Sequence, residues 1–534
     1  MPTPPDATRT RTLTVAGTAR PAGGKSRDPL FAAASDAFER ADYDVVDALV
    51  TTAPVVSKAQ TGRMRLLEAR LARIRYEFER WYVAAGAAAA DLADPADRVL
   101  ATVLQAIAAK RLGKRDEYEH AIADAERRAG RMNAADAAVA SYLIALDAWE
   151  ADDYEKAEAL LRRNVEARAN VAESTALIGW VHARRERWDL AGKAFIAALD
   201  AYHEFGETNV RLHARLVHSA SIAASETIDL AAAGRVRDEY ERVAWRPSLN
   251  DARFDTVACL RYLALLEGDF ARAATLSRDA IAFATSPAFE AMGETNAAVA
   301  SRLLGDEKFH EVQLARAWTI LRSTSWSKAD DDARVALTNF AIEATSTMPA
   351  EARQAITIYQ SLGSKPNPTS GFSGQDRRID AFSAVAAARV AELLDDRELA
   401  IGEYQKALEI WSAIGFGMRA ALAALDLRRL TGSAKYQGAI DAALERAPHA
   451  WFGDGSARAG AALPPLTPAE RTVLVGLLAG KSAKAIAVSL KRSHFTINNH
   501  TRKIFAGFGV NSRAQLLARC VELGITQAMV ERTL

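Results

Sequence analysis

An aromatic residue followed three positions later by an alanine recurs along the chain, and this recurrence limits the folds that the chain can adopt. It occurs in DDYEKAEALL around Tyr154 and in ERWDLAGKAF around Trp188, 34 positions further on. DEYEHAIADA around Tyr118 and GDFARAATLS around Phe270 fit the same template. Residues 29–450 follow a helical period almost throughout. A period of this length predicts helix pairs that stack on one another, because a single pair cannot bury its apolar face.

These repeats resemble the tetratricopeptide repeat, a helix–turn–helix unit of about 34 residues. The Leu-Ile-Gly of LIGW, upstream of Trp188, occupies the place expected in the preceding helix, where small residues let two helices approach closely. The spacing drifts elsewhere, and Arg397 stands at one aromatic position. The resemblance implies a tetratricopeptide-like α-solenoid of roughly ten to twelve helix pairs over residues 29–450, whose concave face binds a protein, peptide or small-molecule ligand. An irregular all-α domain packed through alanines is the alternative.

Residues 466–530 carry the signals of four short helices. Thr467-Pro468-Ala469-Glu470 is a capping box with proline at the first helical position. Ser482 and Ser493 stand where they can cap a second and a third helix, and Ser512-Arg513-Ala514-Gln515 is a further capping box. Four helices in such a short stretch, with a tight turn between the second and third, predict a helix-turn-helix domain.

This C-terminal stretch resembles the LuxR-type, or GerE-type, DNA-binding domain. The resemblance implies a transcription regulator that binds double-stranded DNA, often as a homodimer, with its third helix in the major groove. The sequence departs from the usual pattern at Ala483, Ala485, Arg492, Asn498 and Gly507-Phe508. The matching positions are Leu466-Thr467, Glu470, Val473-Leu474, Gly480, Ser482, Lys484, Ile486-Ala487, Leu490, Ser493, Thr496, His500, Ile504, Gly509-Val510 and Arg513.

The third helix has two faces that the sequence distinguishes. An apolar stripe recurs at i, i+4, i+7 and i+11 and is expected to be buried: Ile497, Thr501, Ile504 and Phe508. A second set has the same spacing and shares another face, which is either a solvated polar face or the DNA-reading face: Phe495, Asn499, Arg502 and Ala506. With the resemblance, the predicted base-contacting residues are Thr496, Asn498, Asn499 and Arg502. The predicted phosphate-contacting residues are Lys484, Lys491, Arg492, Ser493, Lys503 and Arg513.

Charge is distributed unevenly along the chain. From Leu466 to the last residue there are ten Lys and Arg residues and three Asp and Glu residues, a balance of +7. The preceding part has 58 basic and 64 acidic residues, a balance of −6. A short basic segment after a mildly acidic body indicates that only the C-terminal segment meets a polyanion.

Other classes of site find little support in the sequence. ARPAGGKS, residues 19–26, matches a loose phosphate-loop pattern but lacks the preceding strand and following helix of such a loop. Nine histidines and two cysteines show no HExxH motif or metal-ligand spacing, so we expect no metal site and no cofactor. No nucleophile–base arrangement stands out, and the strand–helix alternation of a receiver domain is absent. We therefore expect no enzyme.

Composition also predicts a tail, a linker and the cellular location. Residues 1–28 are rich in Pro, Thr, Gly and Arg and are expected to be a disordered tail, and residues 451–465 are expected to be an interdomain linker. No apolar run is long enough for a membrane span, and no signal-peptide core is present, so we expect a cytoplasmic protein.

Together these features predict an all-α protein, a tetratricopeptide-like α-solenoid followed by a small four-helix LuxR-type helix-turn-helix domain. The predicted function is sequence-specific DNA binding in transcription regulation, with a ligand bound by the helical-repeat region. The alternative is a protein-interaction scaffold whose degenerate helix-turn-helix does not read DNA specifically.

Overall fold

The structure, a computed structural model, describes residues 28–52, 57–326, 331–362, 377–452, 466–508, 510–522 and 530. These residues form α-helices joined by short turns, and no β-strand occurs among them, which confirms the all-α prediction. Within the same residues, no helix has both the length and the apolar character needed to cross a membrane. The predicted tail as far as residue 27, the ARPAGGKS segment and residues 453–465 of the predicted linker lie outside the described part.

Twenty-two α-helices lie between residues 29 and 446 in the described part, the number expected for ten to twelve pairs. Asp28, at the end of the predicted tail, caps the first of them by accepting a hydrogen bond from the backbone nitrogen of Phe31 at 3.0 Å. The helices are α1 (Pro29–Glu39), α2 (Tyr43–Thr52), α3 (Lys58–Ile74), α4 (Phe78–Asp91), α5 (Pro95–Arg111), α6 (Arg115–Ala129), α7 (Ala134–Glu150), α8 (Tyr154–Glu166), α9 (Val171–Arg184), α10 (Trp188–Glu204), α11 (Val210–Thr227), α12 (Leu230–Arg242), α13 (Asn250–Glu267), α14 (Phe270–Ile281), α15 (Pro287–Leu304), α16 (Glu307–Ser323), α17 (Asp331–Ala344), α18 (Pro349–Ser361), α19 (Arg377–Leu393), α20 (Arg397–Ala413), α21 (Gly417–Thr431) and α22 (Gln437–Arg446).

The chain divides into two compact units, each with its own packing. The first contains the residues up to 223 together with 238–252, and the second contains residues 224–237 together with those from 253 onward. In the first unit, the odd-numbered helices from α3 to α9 form a series in which each helix contacts the next odd-numbered one. Each of them also packs against the even-numbered helix that follows it in the chain. The same ladder recurs in the second unit from α15 to α19. This is the packing of stacked helix pairs.

Small residues at the repeat positions explain how the helices of one pair approach each other. Ala157 and Ala191, three residues after the aromatic that begins α8 and α10, are completely buried. A Cβ atom on Gly179, the glycine of LIGW, would lie 2.5 Å from the ring of Phe195, so that ring packs directly on the backbone of α9. Trp188 is buried beside them. The predicted role of the small residues is thereby confirmed.

The C-terminal residues form four further helices with a core of their own. They are α23 (Pro468–Leu478), α24 (Ala483–Leu490), α25 (His494–Phe508) and α26 (Arg513–Glu522). Gly480, at φ +82°, ends the turn after α23, as expected for a glycine just past a helix. The buried core of this region consists of Leu466, Val473, Leu474, Leu477, Ile486, Ala487, Ile497, Ile504, Phe508, Leu516, Cys520 and Val530.

Candidate functional sites

The start of α23 is fixed by the predicted capping box. The Thr467 backbone nitrogen donates to Glu470 Oε2 at 2.8 Å, and the Glu470 backbone nitrogen donates to Thr467 Oγ1 at 3.3 Å. The hydrogen bond from the Thr467 backbone lowers the pKa of Glu470. Lys503 Nζ and His500 Nδ1, both on α25, lie 3.7 Å and 3.8 Å from Glu470 Oε1. This carboxylate therefore ties α25 to the first turn of α23.

The turn between α24 and α25 fixes the orientation of α25 relative to α24. Lys491 has left-handed backbone angles, φ 51° and ψ 44°, and the backbone nitrogen of Arg492 donates to the Ala487 carbonyl at 3.0 Å. Ser493 Oγ accepts from the backbone nitrogen of Thr496 at 3.1 Å and so caps α25, as predicted. A closed turn of this kind holds the two helices in a helix-turn-helix.

A second constraint on α24 comes from α23. A Cβ atom on Gly476 would lie 2.7 Å from Ile486 Cγ1, so the side chain of Ile486 packs against bare backbone. No sequence signal singled out Gly476, because a helical glycine is informative only once its neighbour in space is known.

The faces of α25 follow the sequence prediction. Ile497, Ile504 and Phe508 are buried, whereas Thr501 is only half-buried and donates its hydroxyl to the Ile497 carbonyl at 2.9 Å. All four residues of the other predicted face are exposed: Phe495, Asn499, Arg502 and Ala506. Phe495 retains 74% of its accessible surface, which is unusual for so large an apolar side chain.

The four predicted base-contacting residues all lie on α25, but they differ in exposure and in whether their side chains already have a hydrogen-bond partner. Asn499 and Arg502 are exposed on the same face, and their side chains make no hydrogen bond or ion pair within the described residues. Asn498 is half-buried, with its amide nitrogen 3.3 Å from His494 Nδ1. Thr496 is half-buried too, and its hydroxyl is 2.8 Å from Ser493 Oγ. Asn499 and Arg502 are therefore the two that can reach outward without breaking a contact.

The six predicted phosphate-contacting residues also differ in whether their side chains already have partners within the domain. Lys484, Lys491 and Arg492 are exposed, and none of their side chains is paired with another described residue. Ser493 is exposed but already caps α25, and Lys503 stands near Glu470. Arg513 is half-buried and donates from Nη2 to the carbonyl of Leu477 at 2.8 Å, so part of its guanidinium serves the end of α23. Contact of these residues with DNA stays a prediction.

A cavity of about 410 Å³ lies in the second unit, and no motif in the sequence predicts it. It is lined mainly by the odd-numbered helices α13 to α21. Its walls combine arginines with aromatic rings: Arg261, Arg302, Arg389, Arg419, Tyr262, Phe382, Tyr404, Trp411 and Trp451. Such a pocket needs side chains from helices more than 150 positions apart along the chain, so only the fold assembles it.

Three of the four arginines in the cavity wall are neutralised by carboxylates. Arg419 makes a two-pronged contact with Glu226, its Nε 2.8 Å from Oε2 and its Nη2 2.6 Å from Oε1. Arg302 Nε donates to a Glu343 oxygen at 2.6 Å. Arg389 Nη2 donates to Asp426 Oδ2 at 2.7 Å, which completes the third pair.

Arg261 is the exception in this wall. It is 1% exposed, yet its Nε and Nη2 have no hydrogen-bond partner among the described residues. Its guanidinium carbon lies 4.0 Å from the centroid of the Tyr262 ring, a cation–π contact. A buried guanidinium without a carboxylate is rare, because removing the charge from water is costly unless a counter-charge replaces the water.

The first residues of the predicted linker are packed, and one of them lines the cavity. Trp451 lies 6.4 Å from Tyr262 between ring centroids, and Phe452 is buried. Close approach of this segment requires Gly268, at φ +78°, because a Cβ atom there would lie 2.8 Å from the carbonyl oxygen of His449. The side chain of Trp451 thus belongs to the repeat region, immediately before residues 453–465.

A cluster of ligand-type side chains also occurs in the first unit, where the sequence predicted no metal site. His203 Nε2 and His213 Nε2 lie 2.8 Å and 2.9 Å from Glu239 Oε2, and the three ligand atoms are within 4.8 Å of one another. Arg242 Nη1 donates to the other oxygen of Glu239 at 2.8 Å. Burial lowers the pKa of His213, which favours a neutral ring. Hydrogen bonding satisfies this cluster, and the neighbouring guanidinium disfavours a further cation.

Residues 464–519 match the family described as bacterial regulatory proteins, luxR family. The four C-terminal helices are therefore a LuxR-type helix-turn-helix domain, as the sequence predicted. No curated protein matches the chain.

Several solved structures are similar to the helical-repeat part. The apo form of RapI is 11% identical, with a TM-score of 0.46, covering 66% of this chain and 98% of that chain. The apo form of the quorum sensor NprR from B. thuringiensis is 11% identical, with a TM-score of 0.40 and coverage of 72% and 99%. A Rap protein complexed with competence and sporulation factor is 13% identical, with a TM-score of 0.38 and coverage of 71% and 99%.

Proposed function

We propose that the protein is a sequence-specific DNA-binding transcription regulator whose helical-repeat region binds a protein, peptide or small ligand. The observation that carries the DNA-binding half is the exposed face of α25 in a LuxR-type domain. On that face Asn499 and Arg502 project without partners, one helical turn apart. Phosphate contacts fix a protein on DNA and base contacts supply specificity, and this domain offers side chains suited to each task.

The chemistry of these side chains supports reading of bases in the major groove. An asparagine amide presents a donor and an acceptor that match N6 and N7 of adenine, whereas an arginine guanidinium matches O6 and N7 of guanine. Asn499 is therefore assigned to an A·T pair and Arg502 to a guanine or a phosphate. Asn498 would have to release His494 to take part, so its contribution is smaller.

Electrostatics supports the attachment to the DNA backbone. Lys484, Lys491 and Arg492 lie at or next to the ends of α24, and their charges are not neutralised by described residues. Each phosphate that they contact releases condensed counterions, which makes binding weaken as salt increases. We assign Lys503 and Arg513 to the same role with smaller effects, because Glu470 and the Leu477 carbonyl already engage them.

The pocket in the second unit supports the ligand-binding half. Its volume lies within the range of about 300–1,000 Å³ typical of small-ligand pockets. Trp451 lines it and stands two residues before the segment that leads to the DNA-binding helices. A ligand that contacts this ring differently in two conformations of the protein can shift the DNA-bound population. We place the protein in the cytoplasm, as a non-enzyme that binds DNA as a homodimer.

The second candidate is an interaction scaffold that no longer reads DNA specifically. Five of the ten predicted DNA-contacting residues favour it, because their side chains already have partners within the domain: Ser493, Thr496, Asn498, Lys503 and Arg513. The two candidates differ in sequence preference, which a binding-site selection measures directly.

The test is selection of bound duplexes from a random pool by the full-length protein, followed by affinity measurements on the selected sequence at several salt concentrations. We expect enrichment of one motif with A·T pairs in each half-site and a steep loss of affinity with salt. Lys308→Ala, an exposed lysine of α16, is the matched control and leaves both unchanged. Salt-dependent binding without an enriched motif supports the scaffold, and absence of binding excludes the regulator.

A further inference from the structure

We propose that the pocket of the second unit takes a monoanionic ligand, a carboxylate attached to an apolar or aromatic group, and that Arg261 is its counter-charge. This proposal deepens the proposed function by naming the chemical class of the effector. It rests on the proposed function only where ligand binding is expected to alter DNA affinity.

The charge in the cavity wall is unbalanced at Arg261. Burial removes the guanidinium of Arg261 from water, and in the described residues no carboxylate or carbonyl replaces that water at Nε or Nη2. The contact with the Tyr262 ring recovers only a small part of the lost hydration. A buried cation without a counter-charge is suited to bind an anionic group of a ligand.

Among the arginines of the cavity wall, only Arg261 lacks a carboxylate partner in the described residues. Arg302, Arg389 and Arg419 line the same cavity, and each has a carboxylate partner within 2.6–2.7 Å. Paired arginines contribute little net field, so the wall carries about one uncompensated positive charge. A ligand with one negative charge neutralises it.

The paired carboxylates decide against a dianion. Glu343 and Asp426 also face the cavity, and a phosphate monoester would meet them with its second charge. A carboxylate avoids this repulsion, and its two oxygens suit the parallel N–H groups that a guanidinium presents. The amides of Asn296 and Asn339 line the same space and can donate to a carbonyl or hydroxyl elsewhere on the ligand.

The remaining wall indicates what the carboxylate is attached to. Tyr262, Phe382, Trp411 and Trp451 present rings to the cavity, and Leu265, Val299 and Leu422 add aliphatic surface. Apolar walls with a few polar groups bind ligands whose orientation is fixed by the polar end. An arylalkanoic acid and the C-terminal residue of a short apolar peptide share this chemistry.

The experiment measures thermal unfolding of the full-length protein with matched pairs of probes. The small-acid arm uses 3-phenylpropionate and its amide, and the peptide arm uses N-acetyl-leucyl-phenylalanine and its C-terminal amide. We expect one or both acids, but neither amide, to raise the melting temperature of the wild type. A response in one arm alone identifies whether the source is a small acid or a peptide terminus.

Two variants separate ligand binding from folding. Arg261→Met keeps an unbranched apolar stem and removes the charged guanidinium, and we expect it to fold at least as stably as the wild type because no carboxylate is left unpaired. It should bind the acid roughly ten- to hundredfold more weakly, the loss of a charge-assisted hydrogen-bonded contact. Arg322→Met, an exposed arginine of α16, is the control and should bind as the wild type does.

Two results overturn the proposal. In the first, no acid raises the melting temperature of the wild type by more than it raises that of Arg261→Met. In the second, Arg261→Met is strongly destabilised without ligand, which makes Arg261 a structural cation held by Tyr262. Neither measurement involves DNA, so they remain decisive if DNA binding fails. Conversely, an acid that binds through Arg261 without changing DNA affinity leaves the binding site intact and contradicts only its regulatory role.

Discussion

The cavity of the second unit and the exposed side of α24 and α25 are both rich in basic side chains, but they differ in whether those side chains are paired with carboxylates. In the pocket, Arg419, Arg302 and Arg389 are matched by carboxylates. On α24 and α25, Lys484 and Arg502 are exposed and unpaired within the described residues. Water stabilises an exposed cation at little cost, whereas a buried one requires a counter-charge from the protein or from a ligand.

Arg261 departs from the pattern of the pocket and resembles Lys484 and Arg502, because no carboxylate of the described residues is paired with it. The difference is that Lys484 and Arg502 are exposed to water, whereas Arg261 is buried inside the protein. An exposed cation without a partner among the described residues is ordinary on a protein surface, as at Lys308 and Arg322, whereas a buried one is rare and therefore points more strongly to a ligand.

The largest effect is expected where one member of a buried pair is removed. Arg419→Met leaves Glu226 buried without its two-pronged partner, and we expect it to lower the free energy of unfolding by about 3–5 kcal/mol. Urea unfolding followed by tryptophan fluorescence measures this, since Trp411 and Trp451 lie in the same unit. Removing both charges, in Arg419→Met with Glu226→Leu, should restore most of the loss. Equal stability of Arg419→Met and Arg261→Met would refute the contrast between paired and free arginines.

The next effect concerns specificity. Asn499→Ala should cost roughly 1–3 kcal/mol of binding free energy on the preferred sequence and relax the choice at one base pair, because the donor and acceptor for adenine are lost. Base-by-base substitution of the selected site with each variant measures this. Asn498→Ala should have the smaller effect, since its amide already contacts His494. If neither substitution alters preference or affinity, these asparagines form only a solvated face and the scaffold is favoured.

Removal of phosphate-contacting charges should act on all sequences alike. Lys484→Ala is expected to reduce the slope of log affinity against log salt by about 1. Lys503→Ala should reduce it by less, because Glu470 lies 3.7 Å from Lys503 Nζ and offsets part of its charge. Affinity titrations at four or more salt concentrations compare the two, with Lys308→Ala as the control. A larger slope change for Lys503→Ala contradicts this ranking.

The smallest effect is a dependence of the DNA-binding domain on acid pH. The pKa of Glu470 is lowered in the folded state, so its stabilisation is complete above the unfolded-state pKa and is lost as the pH falls through the folded value. Glu470→Ala removes the capping box and should cost about 0.5–2 kcal/mol at neutral pH. Hydrogen exchange of α23 in the full-length protein, corrected for intrinsic rates, measures both. If the pH dependence of hydrogen exchange in α23 is unchanged in Glu470→Ala, a group other than Glu470 causes it.

The helices of the chain and the two faces of α25 were predictable from the sequence. The spacing of aromatic and small residues predicted the helix pairs, and the capping residues Thr467, Ser482 and Ser493 marked where the C-terminal helices begin. The faces of α25 followed from the helical period alone, because a period of 3.6 residues fixes which side chains share a side. Local rules of this kind need no knowledge of the rest of the fold.

The tertiary structure decided which side chains meet across helices. Arg261, Arg419 and Trp451 have no motif in common, and they share one cavity because stacked helix pairs bring distant segments together. The same applies to Gly476 beneath Ile486, and to Arg513, whose basic side chain the sequence assigned to phosphate but which also donates to the Leu477 carbonyl. A sequence lists charges without their partners, and only the packed structure shows which charges are neutralised and which are left for a ligand.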